Sequence, residues 1–140
     1  MTRIRVRILA LAAVALLPAC NGLISDPEPN VVYEADRRAY TPQDEIVTTL
    51  VNTSDTRVGY NLCVATVEQR TGGGWRQVQR TPEHPCAMIL FSLAPGESAT
   101  FRESASRFPG PGIYRLRTDI ETPVPGPRRE VVTDPFTVQE

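Results

Sequence analysis

Residues 113–117 read Ile113-Tyr114-Arg115-Leu116-Arg117, and this alternation decides the fold. Successive side chains of an extended strand point to opposite faces, so the two arginines mark a wet face and Tyr114 and Leu116 face inward. The same period places Ile46, Thr48 and Leu50 inside in Glu45–Asn52 (EIVTTLVN), and Ala99 and Phe101 inside in Ser98–Arg102 (SATFR). From Val31 onward no window of eleven residues carries the i, i+3, i+4, i+7 spacing of an amphipathic helix without a proline or glycine cutting it.

Short runs rich in Val, Ile, Thr, Tyr and Phe recur instead, each closed by a turn signal, at the spacing of sandwiches and barrels. Eight can be placed: Val31–Ala35, Glu45–Asn52, Gly59–Gln69, Trp75–Arg80, Cys86–Leu90, Ser98–Arg102, Gly112–Asp119 and Glu130–Val138. Between them lie TPQD, NTSDT, TGGG, RTPEHP, LAPGE, FPGPG and TPVPGP. Asp134-Pro135 interrupts the last run. Proline cannot donate to a ladder, so that strand is expected at an edge or with a bulge.

Composition narrows the chemistry. The chain has 140 residues, and all 15 of its basic side chains are arginine. Without lysine there is no Schiff base, no phosphate-loop lysine and no Ser/Lys nucleophile pair. Three arginines stand at the extreme N-terminus; the remaining twelve face sixteen carboxylates, so the body carries −4. An acidic body with no basic stripe argues against nucleic acid as a partner.

The N-terminus reads MTRIRVR, then ten apolar residues, Ile8 to Leu17, too short to span a bilayer at about 20 residues but suited to a secretory signal. Leu17-Pro18-Ala19-Cys20 follows. These four residues resemble the lipobox of bacterial lipoproteins, with Pro18 an unusual occupant. The resemblance implies a signal peptide over 1–19, removed before Cys20, and a cysteine carrying diacylglycerol and an acylated amino group. An ordinary cleaved signal with a free cysteine and an uncleaved anchor are the alternatives. Asn21, where an aspartate would favour the inner membrane, implies the outer membrane. Residues 20–30, with two prolines and a glycine, read as the lipidated N-terminus and a flexible tether.

The order Tyr40-Thr-Pro-Gln-Asp, Ile-Val-Thr-Thr-Leu-Val-Asn-Thr-Ser, Trp75 after a glycine turn, Leu93-Ala-Pro-Gly-Glu-Ser, Pro111-Gly-Ile-Tyr-Arg-Leu resembles bacterial immunoglobulin-like domains. The small proteinase-inhibitor family of bacilli shares this order. The resemblance spans about 31 to 139 and implies an all-β, immunoglobulin-like antiparallel β-sandwich of seven to eight strands over 31–140. One departure stands out: the two strands that carry the inter-sheet cysteines of antibody domains contain none here.

With Cys20 assigned to lipid by resemblance, Cys63 and Cys86 remain, and an exported protein with an even remainder invites a disulfide between them. A metal site from Cys63, His84, Cys86 and Glu83 is the rival, weakened by the lack of a CxxC pair. His84 is the only histidine, so any Ser/His/Asp mechanism runs through it, yet no nucleophile elbow precedes it. Thr71-Gly-Gly-Gly reads as a hairpin turn, Asn52-Thr53-Ser54 as the turn ending a strand, and Trp75 with Arg76 as packing at a strand start rather than a sugar or peptide patch. The acidic residues lack the spacing of a calcium loop. No catalytic residue, metal or cofactor is expected. The expectation is a non-catalytic lipoprotein of the bacterial cell envelope, membrane-held through Cys20, whose edge strands and loops meet another envelope protein or the cell wall. A proteinase inhibitor presenting the proline-rich Thr122–Pro127 or Arg80–Pro85 loop is the alternative.

Overall fold

The computed structural model describes residues 30–80 and 85–140. The expected signal peptide, Cys20, nearly all of the tether, Glu83 and His84 lie outside the described residues.

Two sheets face each other. The smaller holds β1 (Val31–Ala35), β3 (Glu45–Asn52) and β8 (Ser98–Ser104), in the order β1-β3-β8. The larger is built on β9 (Gly112–Glu121), the ten-residue strand that contains the alternating stretch. One side of β9 pairs with β11 (Phe136–Val138) and β10 (Arg128–Val132), and β11 carries β2 (Ala39–Tyr40) beside it in parallel. The other side of β9 pairs with β5 (Thr66–Thr71) and β4 (Val58–Tyr60), which carry β6 (Gly74–Val78) and β7 (Phe91–Leu93). Every ladder except β2–β11 is antiparallel.

The inward alternation appears as read. Ile46, Leu50, Tyr114 and Leu116 are fully buried and Thr48 nearly so. Ala99 and Phe101 pack half-buried against the same core. Where antibody domains staple their sheets with a disulfide, this core stacks aromatic edges: Phe108 meets Tyr114 at 5.1 Å and Phe136 at 5.9 Å, and Tyr40 meets Phe136 at 5.4 Å. The Tyr114 hydroxyl donates back to the Gly110 carbonyl at 2.7 Å, the tyrosine corner that fixes the entry to this strand in immunoglobulin-like sandwiches.

The described residues form eleven strands because several sequence runs are divided. Opposite β9, Val132 faces Arg117 and Phe136 faces Tyr114. Four steps on one strand match three on the other, so the expected bulge sits around Pro135. The Thr133 hydroxyl accepts from the Leu116 N–H there, at 3.0 Å. The run Gly59–Gln69 divides more sharply. Tyr60 faces Ile120 while Thr66 faces Arg117, leaving three extra residues that fold into a 3₁₀ turn, Leu62–Val64. Cys86–Leu90, expected as a strand, joins no ladder; pairing starts only at Phe91.

Candidate functional site

The division of that run builds the molecule's most unusual surface. The Asn61 side chain caps the 3₁₀ turn by accepting from the Cys63 N–H at 3.1 Å. Its amide nitrogen donates to the carbonyls of Ala87 (2.8 Å) and Ile89 (3.0 Å). One side chain thus holds the segment before β7 at two carbonyls, without a ladder. The turn also swings Cys63 outward, where the structure joins it to Cys86 with Cα atoms 5.6 Å apart.

Held from both ends, this segment shows apolar side chains to solvent: Met88 is 86% exposed, Ile89 53%, Leu90 50%, Phe91 46%, and Val64 beside them 45%. A run of four exposed apolar residues is not how a free surface is usually built. On one flank, between this segment and β8, lies a cleft of about 360 Å³ lined by Tyr60, Leu62, Phe91, Ala99 and Phe101. Tyr60 meets Phe91 at 5.8 Å between ring centroids.

Behind the far end of β8 sits a buried ion pair, one residue past the expected run Ser98–Arg102. Glu103 continues the inward parity of Ala99 and Phe101, and its side chain is 1% exposed. It pairs with Arg80, and with Arg107 at 3.5 Å. The other Arg80 nitrogen donates to the carbonyls of Cys63 (2.8 Å) and Ala65 (3.0 Å). The nearby Tyr33 phenol is pushed up to about 12, chiefly by burial. Extending the alternation past Arg102 would have placed a carboxylate inside, and a buried carboxylate demands a cation.

The other singled-out residues fall where turns and packing put them. Gly72 and Gly73 turn the β5–β6 hairpin, with Gly74 at φ +120°. The Asn52 carboxamide accepts from the Ser54 N–H and reaches the carbonyls of Thr56 and Leu93. Trp75 lies between Arg70 and Arg115, whose guanidinium sits 4.4 Å from its ring centroid. In the 122–127 loop the N–H groups of Thr122, Val124 and Gly126 donate to Pro127, Arg57 and Glu121. Among the described residues no three His, Cys, Asp or Glu side chains gather as metal ligands.

This chain is similar to several known proteins. Among the solved structures similar to it is a PapD-like domain of human CEP192 (PapD-like domain 7), 16% identical, covering 94% of this chain and 97% of that one, at a TM-score of 0.44. Another is the alkylpurine DNA glycosylase AlkC of Pseudomonas fluorescens, bound to DNA containing an abasic site analogue, 14% identical, covering 81% of this chain and 31% of that one, at a TM-score of 0.36. No curated protein matches the chain. The family described as bacterial Ig-like domain matches residues 27–137, and the chain belongs to it.

Proposed function

We propose that this chain is a non-catalytic lipoprotein of the bacterial cell envelope, held in the outer membrane through acylated Cys20, whose immunoglobulin-like domain binds another envelope protein. The domain's family makes it a binding or structural module. The observation that carries the binding reading is the exposed run Met88-Ile89-Leu90-Phe91, fixed by Asn61 on one side and Cys86 on the other. Exposing apolar surface and holding it in one conformation lowers the entropy lost on docking.

The anchor reading rests on Leu17-Pro18-Ala19-Cys20. At about 0.8 kcal/mol per buried methylene, two or three acyl chains hold a protein to the bilayer durably. A Cys20→Ser variant should lose both its acyl label and its membrane fraction; retention in the membrane would overturn the assignment. For the binding reading, a photo-crosslinker at Met88 in intact envelopes should give one discrete adduct, and one at Asp134, 86% exposed on its side chain, should give none. Equal yields from both positions would refute it.

A further inference from the structure

Strand β8 ends the smaller sheet, and among the described residues only one side of its main chain has a strand partner. The Asn52 N–H donates to the Glu97 carbonyl at 2.9 Å, and at the other end of the ladder the Ala105 N–H donates to the Asp44 carbonyl at 2.9 Å. Hydrogen-bonded pairs alternate along an antiparallel ladder. With the register of β3 and β8, Ala99, Phe101 and Glu103 therefore turn their N–H and C=O groups to β3, and Ser98, Thr100 and Arg102 turn theirs away. Among the described residues no strand pairs with β8 on that side. The apolar cleft reaches this strand at Ala99, Thr100 and Phe101.

We infer that this cleft takes an extended segment of another polypeptide, which pairs with β8 through the main chains of Ser98, Thr100 and Arg102 and sets every second side chain over Leu62, Phe91 and Phe101. An open edge beside apolar pockets is the arrangement that strand addition uses. Two arguments fix the occupant. Charge complementarity comes first: among the described residues the lining of the cleft contains no acidic or basic side chain, so a charge entering it would lose hydration without a counter-charge. The inward residues of the segment are thus uncharged and apolar. Its outward residues continue the exposed face of Ser98, Thr100 and Arg102 and are polar.

Area decides against a second copy. Seven residues of strand are about 23 Å long and one sheet layer is about 10 Å thick, so β8 paired with β8 covers about 230 Å² on each copy. The two copies together then bury about 460 Å², well below the roughly 1,200 Å² total of a stable interface, and the cleft walls stay uncovered. An inserted segment covers edge and cleft together.

This inference rests on the binding reading and is tested apart from it. The probe is a labelled peptide of seven residues alternating valine and threonine, added to the full chain in detergent. Binding should slow amide exchange at Thr100 and Arg102. Thr100→Pro removes one outward N–H without touching the β3 ladder, and Phe91→Glu charges the cleft wall at a half-exposed position; each should weaken binding at least tenfold with the melting temperature nearly unchanged. Replacing the peptide's valines by glutamates should abolish binding. No binding at millimolar peptide, or binding indifferent to both variants, overturns the inference. So does concentration-dependent dimerisation that Thr100→Pro abolishes, which would assign the edge to a second copy. A discrete adduct from Met88 in envelopes together with no protection at Thr100 keeps the binding reading and discards this site.

Discussion

Replacing both Cys63 and Cys86 by alanine tests how the exposed segment is held. The bridge closes a loop across 23 positions, and the chain-entropy relation gives about 3.4 kcal/mol for a loop of that length. For a domain of about 110 residues with an unfolding entropy near 2.1 cal/mol/K per residue, that loss lowers the melting temperature by about 15 °C. Urea unfolding followed by the fluorescence of Trp75 measures it, with disulfide content checked by thiol titration. Asn61 still holds the carbonyls of Ala87 and Ile89 in the variant, so the fold survives with a lower midpoint. Arg80, two residues past β6, already binds the Cys63 carbonyl, a clip that persists in the folded state but not in the unfolded chain, where the covalent bond acts. A loss under about 1 kcal/mol would refute the reasoning, because the unfolded loop would then cost little to close.

Glu103→Leu takes the shared buried carboxylate from Arg80 and Arg107, each 12% exposed, and should cost about 3–5 kcal/mol, while the double variant Glu103→Leu, Arg80→Met recovers the part owed to Arg80; additive losses in urea denaturation would contradict the pairing. The Asp44 carboxyl is held down to about 2 by the Thr41 N–H and hydroxyl and by Arg37. A depressed carboxylate stabilises the fold above its ordinary value near 3.8 and loses that contribution as pH falls toward 2. The urea midpoint of the native protein should therefore drop between pH 4 and 2 more steeply than that of Asp44→Asn, and identical slopes would remove the linkage.

Local patterning carried the strands whose pairing is regular. Val31–Ala35 and Glu45–Asn52 have the bounds that alternation and turn residues set, and Tyr114 and Leu116 face inward because β9 runs unbroken through them. The turns were legible for the same reason: Asn52-Thr53-Ser54 and Thr71-Gly-Gly-Gly each close on themselves within a few residues. What escaped depends on register between distant segments. The three extra residues after Tyr60 exist only relative to β9, and β2 is a two-residue parallel pairing too short to leave a period. Cys86–Leu90 has the composition of a buried strand, and its exposure is settled by Asn61, 26 and 28 positions from the carbonyls it holds.

The open edge of β8 has its origin in the same place. For the segment leading into β7 to cover β8, it would have to run along the smaller sheet; it is drawn instead to the larger one. Gly59 permits this, since a Cβ there would lie 2.8 Å from side-chain atoms of both Leu90 and Val124. Phe91 then faces Tyr60 in the β4–β7 ladder, and the Asn52 carboxamide donates to the Leu93 carbonyl at 3.1 Å to close the far end. The contacts at Gly59 and Tyr60 hold Leu90 and Phe91 against the larger sheet, and the bridge to Cys63 fixes Cys86 before them. The cleft, the exposed apolar run and the half-used strand are therefore consequences of one rearrangement around Tyr60 and Asn61. This is why a variant that opens the disulfide should alter peptide protection at Thr100, more than 10 residues away in sequence, through the wall that Phe91 provides.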